Sequence, residues 1–141
     1  MRYKKMIIED LLKWAMGNPR KLFLIDGLGA LLSALMLGFV LVSLEKYFGI
    51  PKSTLYILAF VSCCYAAYDL YCYSTLNGNV GPYLIGIGTA NLLYCFLSIG
   101  FAFYHHTTIT ILGWIYIVIE VIIVCALAIF EIKTGRRMQP R

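Results

Sequence analysis

The chain is 141 residues long, 61% hydrophobic and 13% charged, with a formal net charge of +5. A soluble domain of this size carries about 25% charged residues, so the composition excludes an ordinary water-coated globule and points to lipid as the solvent. Ten of the twelve Lys and Arg lie before Leu22 or after Ile132, and none falls between Ser53 and Ile132; this argues against a nucleic-acid partner and for a membrane protein with both termini cytoplasmic.

In chain order, residues 1–21 read as a short amphipathic interfacial segment. Ile7, Leu11, Trp14 and Ala15 share a helical face, while Lys4, Lys5 and Lys13 can reach lipid phosphates. Gly17-Asn18-Pro19 ends it, because proline and the residue before it disfavour helix. A transmembrane domain over 22–132 follows, with four spans at about 22–44, 53–74, 82–104 and 108–132, each near the ~20 residues that a bilayer core requires. Residues 133–141 form a basic cytoplasmic tail with Lys133, Arg136, Arg137 and Arg141. Short connections make successive spans antiparallel neighbours. The fold expected is an all-α membrane protein, a four-transmembrane-helix up-down bundle integral to a plasma membrane, the inner one if the source is bacterial.

Two stripes of small and polar residues are expected to face the bundle or a second copy, since helices in lipid associate by close packing and side-chain hydrogen bonds. One is Ala30, Ala34 and Gly38; the other is Gly88, Asn91, Cys95, Ser98 and Ala102. The five cysteines all fall in apolar runs with neither a C-x-x-C nor a zinc spacing, and read as small buried side chains.

The carboxylates inside these spans carry the functional signal. Each costs about 2.5–3.5 kcal/mol at a helix centre on insertion scales, and no Lys or Arg within the spans can neutralise them. At 1.5 Å per residue Asp26 and Asp69 lie at a common depth, roughly 8 Å from the cytoplasmic ends of their helices. Glu120, at about 18 Å, and Asn91, at about 13 Å, bracket the middle of the bilayer. Four tyrosines are interleaved: Tyr65 can share a face with Asp69, Tyr94 with Asn91 and Tyr116 with Glu120, and Tyr68 lies beside Asp69. Such acids must be protonated, hydrogen-bonded, hydrated, or met by a cation from outside.

The expected function is therefore a proton- or cation-coupled transporter or channel whose ligands are protons, inorganic cations or an organic cation cradled by aromatic rings. The candidate site is Glu120, Asp69, Asp26, Asn91, Tyr65, Tyr68, Tyr94 and Tyr116. The alternative is a non-catalytic scaffold or accessory subunit that packs against another membrane protein. In architecture the chain is similar to the small multidrug-resistance exporters, which have four short spans and a membrane carboxylate, although their essential acid lies in the first span and the deepest acid here lies in the fourth. Because four helices make a thin wall, a homo-oligomer is expected. No H-E-x-x-H, G-x-S-x-G or phosphate-cradling loop occurs, so neither an enzyme nor a cofactor is indicated, and the adjacent His105 and His106 point apart on a helix, which makes them poor joint metal ligands.

Overall fold

The computed structural model describes residues 2–140; Met1 and Arg141, at the ends of the expected interfacial segment and tail, lie outside them. The described chain is all helical apart from short connections. Helix α1 spans Arg2–Gly17, α2 spans Pro19–Leu35 and runs on as a π-helical stretch over Met36–Leu41, and α3 is a single turn at Glu45–Phe48. The remaining helices are α4 (Lys52–Thr75), α5 (Gly81–Tyr104) and α6 (Ile111–Met138). Four of these are long and apolar enough to cross a membrane, at 23, 24, 24 and 28 residues, or about 34–42 Å against a ~30 Å hydrocarbon core.

The helix boundaries follow from local chemistry. Asn18 leaves the helical region at φ −137°, ψ 53°, and Pro19 takes the first position of α2, where its missing N–H costs nothing. Pro82, the second residue of α5, likewise sits in a first turn, where an N–H would have no partner within the helix. Thr110 caps α6 by accepting from the Gly113 N–H at 3.2 Å. Gly49 ends α3 with φ 70°, the left-handed conformation that favours glycine. Helix α6 does not stop near Ile132 but continues through Lys133, Arg136 and Arg137 to Met138. Basic side chains in a last turn complement the negative end of the helix dipole, so most of the expected tail is helix.

The four long helices form two close-packed pairs, α2 with α4 and α5 with α6, which meet each other over fewer residues. Small residues set the approach. A Cβ on Gly88 would come within 2.7 Å of Ile132 Cγ1 and 2.8 Å of the Ala128 carbonyl oxygen, and one on Gly27 would come within 3.0 Å of Asp69 Cβ. Contacts such as Arg20 with Tyr73, and Gly81 with Gly135, bring the start of one helix against the end of its neighbour, so each pair is antiparallel.

Apolar side chains form two clusters separated along the bundle. One, near the α1 end, comprises Ala15, Leu22, Phe23, Cys72, Val80, Leu84 and Ile87; the other, toward the opposite end, includes Leu37, Leu41, Leu55, Leu58, Ala102 and Ile117. Much of the remaining apolar surface is exposed, with Phe39, Phe60, Phe96 and Ile111 each at least 69% accessible, a surface suited to a bilayer.

Helix α1 docks on the bundle through Leu12 and Ala15, while Ile7, Leu11 and Trp14 of the expected apolar face remain exposed. Its Glu9 carboxylate makes two hydrogen bonds to the Arg137 guanidinium, at 3.1 and 3.2 Å. One expectation changes, that all five cysteines are buried: Cys63 and Cys64 are exposed, whereas Cys72 and Cys95 are buried. A helix in a four-helix bundle turns more than half its circumference outward, so an apolar run supplies lipid-facing residues as well as buried ones.

Candidate functional site

The buried acids gather where the two helix pairs meet. Asp26 is about 10 Å from the Pro19 end of α2, Asp69 about 9 Å from the Thr75 end of α4, and Glu131 about 10 Å from the Met138 end of α6. Antiparallel neighbours bring these three positions to one level. Asp69 and Glu131 are fully buried and Asp26 is 5% exposed. The Asp26 carboxyl faces those of both Asp69 and Glu131, so acids from both pairs meet across the seam.

Asn91 of α5 binds this group together. Its amide nitrogen donates to Asp26 Oδ2 at 2.8 Å and to Glu131 Oε2 at 3.4 Å. Asp69 Oδ1 and Oδ2 and Glu131 Oε1 have no hydrogen-bond partner among the described residues. The ion pairs among the described residues are Glu45 with Lys52 and Glu9 with Arg137, and no basic side chain of these residues is paired with the cluster. Two ionised carboxylates about 4 Å apart repel by roughly 4 kcal/mol at an effective dielectric of 20, and removal from water adds to that cost.

Glu120 forms a second station. It lies on the same stripe of α6 as Glu131, three turns away and about 16 Å along the axis. Tyr94 OH donates to its Oε1 at 3.0 Å, whereas Oε2 has no partner among the described residues. Ser33 and Tyr116 face the same carboxyl. Between the stations lies a cavity of about 80 Å³, lined by Asp26, Ser33, Ser62, Asn91 and Tyr94 together with apolar residues. That is room for more than one water, with enough polar partners to hold it.

The candidate residues thus divide. Asp26, Asp69 and Asn91 are brought together, and Glu120, Tyr94 and Tyr116 form the second group. Asn91 turns to the acids of α2 and α6, leaving Glu120 to Tyr94. Tyr65 does not reach Asp69; its hydroxyl donates to the Ala90 carbonyl at 2.9 Å and its ring packs edge-on to Tyr94. Tyr68 is 37% exposed, its hydroxyl 3.5 Å from the Tyr83 carbonyl, and takes no part in either group.

Glu131 is the residue that the sequence reading passed over, because it sits one position before the expected end of the fourth span. Its spacing was the available signal: eleven residues after Glu120 returns to the same helical face within about 20°.

The fold and these buried groups define a membrane-embedded helical protein with an acidic interior. No protein-family model matches the chain, and no curated protein or solved structure is significantly similar to it.

Proposed function

We propose that the protein is a proton-coupled membrane carrier in which Asp26, Asp69 and Glu131 hold and release protons at the seam between two helix pairs and Glu120 is the next station. The observation that carries this reading is the meeting of three buried carboxyls around Asn91 with no basic partner among the described residues. Such a group is tolerable in lipid only when protons neutralise it or a cation balances it, and intramembrane acids in this situation characteristically lie on proton or ion routes.

Protons suit the arrangement better than metal ions, since among the described residues no three His, Cys, Asp or Glu are arranged to hold one. Apolar layers lie on either side of the cluster, and the sparser contact between pairs than within them suits a rocking of one pair against the other that would open each layer in turn. The basic residues of α1 and the end of α6 support a cytoplasmic position for both termini. The polar groups converge within one chain, so the reading does not require a second copy.

Proton flux into proteoliposomes, followed with an entrapped pH-sensitive dye under an imposed membrane potential, tests this. Asp26→Asn and Glu131→Gln should each slow flux by roughly tenfold or more while preserving helix content. Wild-type flux in the double variant would remove the cluster from any transport role. Absence of flux in the wild-type protein would favour a scaffold held together by its polar core.

A further inference from the structure

Beyond Glu120, on the side away from the carboxyl cluster, a small void of about 10 Å³ is lined by Thr54, Ser98, Tyr116 and Glu120 among apolar residues that include Leu37, Leu58 and Ile117. Two polar atoms of this lining, Glu120 Oε2 and Ser98 Oγ, have no partner among the described residues, and their side chains are only 7% and 1% exposed. A buried polar group left in that condition costs about 1–3 kcal/mol. A buried water needs a probe-occupied volume of about 10–15 Å³ and two to four polar partners. The void meets the lower bound of volume, and Glu120, Ser98 and Thr54 supply three partners.

The chain of polar atoms does not end there. Thr54 Oγ1 lies 3.0 Å from Nε2 of His105, at the end of α5. A hydroxyl can accept from one neighbour while donating to another, so Thr54 can hand a proton either way. The His105 ring is fixed by stacking on Phe101, with centroids 6.5 Å apart, and by the edge contact of Tyr104 at 4.8 Å. Other charged or basic groups at this end have their own partners, Lys46 lying 4.9 Å from the centre of the Tyr47 ring. Glu45 pairs with Lys52, and His106 Nδ1 sits 2.8 Å from the Phe103 carbonyl.

We propose that the void among Thr54, Ser98 and Glu120 seats one water molecule, and that this water and the Thr54 hydroxyl carry protons between Glu120 and His105. His105 is then the terminal of the route at the end of the bundle remote from α1. The inference rests on the proton-carrier reading and extends it to a second half-pathway, with Ser98 and Thr54 positioning the water.

Two measurements on the full-length protein test it. One is proton flux in proteoliposomes; the other is the rate at which the Glu120 infrared carboxyl band, assigned with Glu120→Gln, shifts on transfer to deuterated buffer. Thr54→Val and Ser98→Ala should slow both by roughly tenfold, and Thr54→Ser, which keeps the hydroxyl, should restore both. Flux in the wild-type protein that Thr54→Val leaves unchanged would overturn the half-pathway and spare the carrier. No flux, with band exchange still slowed by Thr54→Val, would overturn the carrier and keep the water route. No flux together with unaltered exchange would overturn both.

Discussion

The amide of Asn91 stands 2.8 Å from the Asp26 carboxylate and 3.4 Å from that of Glu131, so one side chain of α5 bridges acids on α2 and α6. It supplies the hydrogen-bond donor that the surrounding carboxyls lack, and it does so across the boundary between the two helix pairs. Asn91→Leu should therefore lower stability by about 1–3 kcal/mol, because it strands acceptors already out of water. Reversible unfolding in mixed micelles would report this, and an unchanged midpoint would show that the amide is dispensable.

The contact between Tyr94 and Glu120 is a donor–acceptor pair at 3.0 Å in a buried setting. Tyr94→Phe removes the donor and leaves Glu120 Oε1 without its partner, at a cost of about 1–3 kcal/mol. Tyr65→Phe should cost less, since the Ala90 carbonyl that accepts from Tyr65 belongs to a helix that already engages it. Comparing the two unfolding midpoints checks the order, and a reversed order would contradict the geometry.

Close packing of α5 on α6 depends on Gly88, where an added Cβ would meet Ile132 and the Ala128 carbonyl at under 3 Å. Gly88→Val should destabilise the pair by about 1–3 kcal/mol through overpacking. Gly29→Ala is the control, because a Cβ there meets nothing within 4 Å. Equal effects at the two sites would show that the approach is not set by Gly88.

The Glu9–Arg137 pair fastens α1 to the end of α6, and it is solvent-exposed. The hydrogen bond and charge of Arg137 hold the Glu9 carboxyl below its ordinary value of 4.5. A depressed carboxyl contributes docking that is present above its ordinary value and lost as pH falls through the lowered one. A spin-label distance between α1 and α6 should thus be constant at neutral pH, broaden below about pH 4 and broaden also in high salt. Arg137→Ala should abolish the acid dependence; a persistent transition would assign it to another group.

Much of this molecule is written in local sequence terms. The length and apolar content of each span produce four long helices, because hydrocarbon leaves the backbone no partner but itself. Gly17-Asn18-Pro19 breaks the chain between α1 and α2 for a stereochemical reason that involves no distant residue. The stripe Gly88, Asn91, Cys95, Ser98 and Ala102, read from helical spacing, is buried at every position. The common depth of Asp26 and Asp69 follows from the rise per residue alone.

Tertiary packing decided which polar groups meet. Depth along a helix is a one-dimensional quantity, whereas contact depends also on rotation about each axis and on which helices pair. Asn91 and Glu120 were both legible as deep polar residues, yet the azimuth of α5 against α2 and α6 turns Asn91 toward Asp26 and leaves Glu120 to Tyr94. Tyr68 immediately precedes Asp69 in sequence but points outward, since adjacent helical residues diverge by about 100°. Glu131 shares a helical face with Glu120 by spacing, but the packing of α6 against α5 and α2 is what brings it to Asn91 and Asp26. The amino-acid order determined that acids would be buried in lipid; the crossing of two helix pairs determined that three of them would share one amide, because only the assembled bundle fixes the rotation of every helix at once.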